Sequence, residues 1–143
     1  MGRRTATITI DAKGRDEGKR FLLTEMSADQ AESWAMRALL ALTNAGVELP
    51  DEVLSAGMAG IATIGIRALG KLSYPVAAPL LAEMMDCVQI VMPAATRPLL
   101  HGDGGDIEEV KTRLSLRLEV FKLHLDPSLV AAIPTTASGR ATA

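Results

Sequence analysis

The sequence predicts a mainly α fold, with about four packed helices after a short N-terminal β-hairpin, for which α+β is the alternative description. Three observations lead to this prediction. Aromatic residues make up only 3% of the 143 residues, so the core must be aliphatic, which suits close-packed helices. Long segments repeat apolar residues at helical spacing. Hydrophobic residues make up 48% of the chain and charged residues 22%, which is enough apolar surface for a folded core.

We expect one globular domain over residues 1–133, with the hairpin at residues 5–25 and the helices within residues 27–126. The hairpin is indicated by the β-branched alternation TATITI from Thr5, a polar turn that contains glycine, and the apolar run RFLLTEM from Arg20. The segment TTASGRATA after Pro134 is polar and small, so residues 134–143 are predicted to be a disordered tail.

The first helix has the clearest boundaries. Ser27 and Gln30 form the pattern of a capping box, in which each side chain satisfies a backbone donor at the helix start. The helix should continue to about Asn44, and Gly46 follows as a C-terminal cap. At helical spacing one face collects the apolar side chains of Ala31, Trp34, Ala35, Ala38 and Leu42.

Two further helices are predicted in the middle of the chain. The second should cover residues 52–69, and its interior glycines indicate close approach of neighbouring backbones at Gly57, Gly60 and Gly65. The third should start between Ser73 and Pro79, because proline is tolerated only in the first turn. Its apolar side chains are Leu80, Leu81, Met84, Met85 and Val88.

A proline- and glycine-rich loop at residues 93–105 precedes the fourth helix. Asp106, Glu108 and Glu109 are expected at the positive end of that helix, where carboxylates are favoured. Residues 113–120 alternate polar and apolar side chains, which could also indicate a strand. Their Leu, Arg, Glu and Lys content favours a helix.

The fourth helix carries two apolar stripes, although a surface helix needs only one to pack on its domain. The stripe assigned to the core consists of Ile107, Val110, Leu114, Leu118, Phe121 and Leu125. Leu116, Val120 and Leu123 lie opposite, and either the same chain, a partner or a second copy must cover them. We take them as candidate partner-binding residues, together with Met36 and Leu40, which lie among polar neighbours on the first helix.

Composition argues against nucleic acid and membrane as partners. The net charge of −2 provides no general electrostatic attraction to nucleic acid or to anionic lipid. The longest uncharged stretch, residues 53–66, is shorter than the roughly 20 residues that a membrane-spanning helix needs.

No motif for catalysis, a cofactor or a metal is recognisable. The segment GRDEGK at residues 14–19 lacks the spacing of a phosphate-binding loop and is interpreted as a hairpin turn. Cys87, His101 and His124 are the only nitrogen and sulfur candidates for zinc, and they lie in separate elements. Cys87 is expected to be a buried, inert thiol and His124 a solvated residue. The acidic residues at 103–109 do not have calcium-loop spacing.

Three segments resemble the tail assembly chaperones of long-tailed bacteriophages. They are GRDEGKRFLLTEMSADQAESWAMRALLAL at residues 14–42, RPLLHGDGGDIEEVKTRLSLRLEVFKLHL at residues 97–125 and, with less specificity, GMAGIATIGIRALG at residues 57–70. Within the second segment, HGDGG at residues 101–105 departs from the family pattern.

The resemblance implies a non-enzymatic protein that is made in the cytoplasm of the infected bacterium and is absent from the mature virion. It implies the tape measure protein and the tail tube protein as partners. Self-association remains open, and so does the alternative of a structural virion component such as a head–tail connector or another small helical adaptor.

Overall fold

A computed structural model describes residues 2–56, 61, 66–125 and 141–142 and has an α+β fold. The prediction of a mainly α fold is wrong, because an antiparallel sheet accompanies the helices. The strands in this part of the chain are β1 (Thr5–Thr9), β2 (Arg20–Thr24), β3 (Val88–Val91), β4 (Thr96–Pro98) and β5 (Ala141–Thr142). The helices are α1 (Ala28–Asn44), α2 (Asp51–Ala56), α3 (Tyr74–Met85) and α4 (Val110–Leu123), with a 3-10 helix at Ile66–Lys71.

The chain divides into two compact units. The sheet and α4 belong to the first unit, which consists of Met1–Glu25, Glu83–Leu123 and Pro134–Ala143. The other helices, with most of α3, belong to the second unit, which consists of Met26–Ala82 and His124–Ile133. This division does not test the prediction of a single domain over residues 1–133, which stays a prediction.

The predicted N-terminal hairpin is confirmed. β1 and β2 pair antiparallel from Thr5 opposite Thr24 to Thr9 opposite Arg20. The segment between them is a turn that leads directly into a strand, as the hairpin interpretation of GRDEGK requires.

The sheet of the first unit extends beyond this hairpin, in the order β4-β3-β2-β1-β5. Residues that pair directly across strands lie on the same face of a sheet. Phe21 pairs with Ile8 on one side and Ile90 on the other, and Leu23 pairs with Val88. All five side chains are buried, so they form one apolar face, and α4 packs on β1 and β2.

Two strands fall in segments that were predicted as helix and loop. Val88 was placed on the third helix but begins β3, and β4 lies inside the predicted loop 93–105. These strands are only four and three residues long, so they carry too few side chains to show a clear alternation. β3 forms by pairing with β2, which is distant in the sequence, and β4 forms by pairing with β3.

In the second unit, α1 has the boundaries and the buried face that the sequence predicts. The Ser27 hydroxyl accepts a hydrogen bond from the Gln30 backbone at 3.4 Å, which caps the helix start. At the other end Gly46 has a φ of +91°, and its N–H donates to the Thr43 carbonyl. The Val47 N–H donates to the Leu42 carbonyl, which completes the glycine cap.

Trp34 is the largest fully buried side chain among the described residues. Its side chain is fully buried, and its indole Nε1 donates to the Leu80 carbonyl at 2.9 Å. A buried indole N–H needs such a partner, and this bond ties α1 to α3.

The start of α3 lies within the predicted range, Ser73 to Pro79, but the rule that proline occurs only in the first turn fails for this helix. The helix starts at Tyr74, so Pro75 lies in the first turn but Pro79 lies inside the helix. Pro79 has no N–H to donate to the carbonyl four residues earlier, and α3 continues without this bond to Met85.

The predicted glycine-rich helix is described only in part. α2 is described over Asp51–Ala56, Ile61 is helical and buried, and Ile66–Lys71 is a 3-10 helix rather than part of an α-helix. Gly57, Gly60 and Gly65 lie outside the described residues.

The predicted disordered tail also lies mostly outside the described residues. Where it is described, Ala141–Thr142 pairs with β1 opposite Thr7 and Ala6, so the prediction is wrong for these two residues.

Candidate partner-binding surface

Asp16, in the turn between β1 and β2, anchors the start of α4. Its side chain is 1% exposed, and its carboxylate accepts hydrogen bonds from the backbone N–H groups of Glu108 and Glu109, at 2.9 and 2.8 Å. It also accepts from the Thr112 hydroxyl at 2.8 Å and from Lys19 Nζ at 2.8 Å. These donors include N–H groups at a helix start, which the helix itself leaves without partners.

The pKa of Asp16 reflects two opposing effects. Burial alone would raise it, but the hydrogen bond from Lys19 and those from Glu108, Thr112 and Glu109 lower it from 3.8 to about 2. The carboxylate is therefore ionised at neutral pH, and its negative charge lies at the positive end of the helix dipole.

The acidic residues that were predicted to begin the helix serve other contacts. α4 starts at Val110, so Asp106, Glu108 and Glu109 precede it. Asp106 forms a two-pronged ion pair with Arg97, at 2.8 and 2.9 Å. Glu108 and Glu109 both pair with Arg15. Asp16 occupies the capping position from a segment more than 90 residues away in sequence.

This anchor decides which face of α4 is buried. Thr112 bonds to Asp16, and Leu116 and Val120 follow at i+4 and i+8 on the same face. Leu116 and Val120 are fully buried, and Leu123 is partly buried. Of the alternatives that the sequence left open, the structure shows that the same chain covers Leu116 and Val120. The assignment of these two residues to a partner surface was wrong.

The stripe assigned to the core is buried only at its C-terminal end, and Ile107 and Leu118 are partly buried. Val110 is 71% exposed and Leu114 is 53% exposed, while Phe121 and Leu125 at the C-terminal end are buried. Arg113 and Arg117 lie beside them at helical spacing and are partly buried. We define the α4 outer face as Val110, Arg113, Leu114 and Arg117.

Two like charges adjoin on the α4 outer face. Arg113 and Arg117 are four residues apart, an arrangement that destabilises an isolated helix by roughly 0.2–0.5 kcal/mol. Burial, and next the charge of Arg113, lower the pKa of the Arg117 guanidinium. Arg113 Nη1 lies 3.4 Å from Nδ1 of His101. In the part of the chain that the structure describes, neither arginine forms an ion pair with a carboxylate.

The other candidate partner-binding residues are accessible. Met36 is 42% exposed and Leu40 is 52% exposed, four residues apart on α1 in the second unit. We call them the α1 outer pair. Their exposure agrees with the sequence analysis, although exposure does not test whether a partner binds them.

The residues considered for chemistry lie apart. His101 is exposed, whereas His124 is partly buried and accepts a hydrogen bond at Nε2 from the Met26 N–H at 2.8 Å, so its prediction as a solvated residue was wrong. Cys87 is only partly buried, and burial, with Asp86 and Glu83, raises the pKa of its thiol to about 11. Such a thiol is a poor nucleophile at neutral pH.

Comparison with known proteins adds no relative. No protein-family model, curated protein or solved structure matches this chain. Among the described residues no group of three or more His, Cys, Asp or Glu side chains could hold a metal ion. Every helix in the same ranges is too short or too polar to cross a bilayer.

Proposed function

We propose that this protein is a non-catalytic tail assembly chaperone of a long-tailed bacteriophage, which binds the tape measure protein and helps to recruit tail tube subunits. The proposal starts from the resemblance of residues 14–42 and 97–125 to that family. It includes the location that the family implies, the cytoplasm of the infected bacterium, and absence from the mature virion.

One structural observation supports the proposal. A helix in each unit exposes two large apolar side chains four residues apart, Met36 with Leu40 and Val110 with Leu114. Single exposed apolar side chains are ordinary on proteins, whereas pairs at i, i+4 match the spacing with which helices bind each other. A chaperone for a long helical protein needs such surfaces, because it must cover apolar stripes until the partner assembles.

The test is capture of the tape measure protein on co-expression. We expect the wild type to retain the tape measure protein in a pull-down, and Met36→Asp with Leu40→Asp to lose it. A charge introduced at a partner interface is buried without a counterion, which opposes binding strongly, whereas the same charge in the free protein remains hydrated. Circular dichroism should show that the double variant is folded, because both positions are exposed.

The matched control places the same two charges elsewhere on α1. Gln30→Asp with Asn44→Asp changes two exposed positions near opposite ends of the helix, and it should retain capture. If neither the wild type nor the control variant captures the tape measure protein under conditions in which that protein is soluble, the result would count against the chaperone function. Detection of the protein in purified particles by mass spectrometry would indicate a structural virion component instead.

A further inference from the structure

We propose that the α4 outer face is a docking surface for an acidic amphipathic helix of a partner protein. Its arginines would pair with carboxylates, and Val110 and Leu114 would contact the apolar stripe of that helix. The inference rests on the proposed function in one respect, since it names the chemistry of the partner segment that the chaperone binds.

The charge of this face is uncompensated within the described chain. The carboxylates nearest in sequence are engaged elsewhere, because Glu108 and Glu109 pair with Arg15 and Glu119 pairs with Lys122. The contact of Arg113 with the ring of His101 cannot neutralise a guanidinium, because a neutral imidazole carries no negative charge. Arg117 is partly buried without a carboxylate partner among the described residues. A carboxylate from outside would relieve the repulsion between the two arginines and form charge-assisted hydrogen bonds.

The apolar side chains of the α4 outer face limit which kind of anionic partner can bind there. Val110 and Leu114 are four residues apart on the same face as the arginines, at 71% and 53% exposure. An inorganic anion or a nucleic acid backbone would leave these side chains in water. A helix with leucines on one stripe and glutamates beside it covers both groups at once. Arginine also suits such interfaces because its planar fork pairs with carboxylates in two-pronged geometry.

The probe is a synthetic amphipathic peptide of about 20 residues, long enough to form a helix, with leucines on one stripe and flanking glutamates. A second peptide carries glutamine at every glutamate position. Fluorescence anisotropy with the purified full chain measures binding of each. We expect the glutamate peptide to bind and the glutamine peptide to bind on the order of tenfold more weakly or not at all. The affinity for the glutamate peptide should fall as salt is raised.

Variants locate the surface. Arg113→Gln with Arg117→Gln, and separately Leu114→Gln, should each weaken binding of the glutamate peptide on the order of tenfold. Lys13→Gln with Lys111→Gln removes the same total charge from exposed positions of the same unit, and its affinity should stay within about twofold of wild type. The arginine variant should melt at the same temperature as wild type or higher, because it removes a like-charge pair.

Three results of the binding measurements would overturn the inference. They are equal binding of the two peptides, equal loss of binding in the lysine control, and tighter binding of a single-stranded oligonucleotide than of the glutamate peptide. Failure here is distinguishable from failure of the proposed function. Capture of the tape measure protein by the arginine variant at the wild-type level would reject this surface and leave the chaperone function standing. Peptide binding at this face without any capture of the tape measure protein would support the surface and count against the chaperone function.

Discussion

Asp16 joins the turn between β1 and β2 to the start of α4 in the first unit. Its carboxylate accepts hydrogen bonds from four donors, two of them backbone N–H groups just before α4, and it is almost inaccessible to water. A buried carboxylate is tolerated only where its charge is paired and its oxygens are hydrogen-bonded, and Lys19 and Thr112 complete that requirement. The turn between β1 and β2 thus holds a helix in place as well as joining two strands.

The depressed pKa of Asp16 predicts how stability depends on pH. Since the folded-state pKa of about 2 lies below the ordinary value of 3.8, the ionised carboxylate stabilises the fold at pH values above about 4. That contribution is lost as the pH falls toward 2. Asp16→Asn should therefore reduce the free energy of unfolding near neutral pH by about 2 kcal/mol. Urea denaturation at neutral and acidic pH measures the free energy of unfolding of each protein. The difference between wild type and Asp16→Asn should become smaller below about pH 4.

Asp103→Asn is the control for this prediction, because Asp103 is an exposed aspartate of the same unit. Its free energy of unfolding should differ little from wild type at either pH. An Asp16→Asn protein as stable as wild type near neutral pH would contradict the role assigned to this carboxylate.

At the scale of elements, α1 and α3 differ in what stabilises them. α1 has a serine cap, a glycine end and a single buried face, so its own sequence specifies it. α3 continues through Pro79, although proline in a helix interior costs about 3 kcal/mol relative to alanine. Packing of its buried residues Leu80, Met84 and Met85 must outweigh that loss.

Pro79→Ala should therefore stabilise the protein. Alanine restores an N–H that can donate to the carbonyl four residues earlier, and Pro79 is exposed, so little packing is lost. Because proline also restricts the unfolded chain, the net gain in the free energy of unfolding should be about 1–2 kcal/mol. Pro75→Ala is the matched control, since in the first turn no such bond is missing, and it should be neutral or slightly destabilising. Thermal melting compares the two, and equal effects would contradict this account.

At the scale of the whole molecule, α4 has two apolar faces that differ in burial. The inner face, with Leu116 and Val120, is part of the core, and the outer face exposes Val110 and Leu114. The exposed residues Val110 and Leu114 contribute little to folding, whereas Phe121 and Leu125 at the C-terminal end of the same stripe are buried. We therefore expect core substitutions and outer-face substitutions to have different consequences.

Leu116→Asp and Leu114→Asp place the same charge two residues apart on one helix. The first buries a carboxylate without a partner and should destabilise the protein by about 4 kcal/mol or more, which is enough to unfold many domains. The second leaves the charge in water and should change the free energy of unfolding by less than about 1 kcal/mol. Circular dichroism with urea denaturation distinguishes them. Equal stability of the two variants would show that the assignment of the two faces is wrong.

Several features were predictable from short segments. The ends of α1 follow from Ser27 and Gly46, whose caps involve residues only three to five positions away. The β1–β2 hairpin follows from two alternating runs around a polar turn. The exposure of Met36 and Leu40 follows from the single apolar stripe of α1. In each case the interacting groups are close in sequence, so the local pattern contains the information.

The sequence by itself thus determined α1, the hairpin and the two apolar stripes of α4, but only the tertiary structure decided that Leu116 is buried and Leu114 is exposed. Both stripes have helical spacing, so periodicity does not distinguish them. The choice depends on Asp16, whose bond to the Glu108 N–H joins residues 92 positions apart. β3 likewise forms because β2 is available to pair with it. Such contacts depend on where the folded chain brings distant segments together. That placement leaves Leu114 exposed beside the partly buried Arg113 and Arg117.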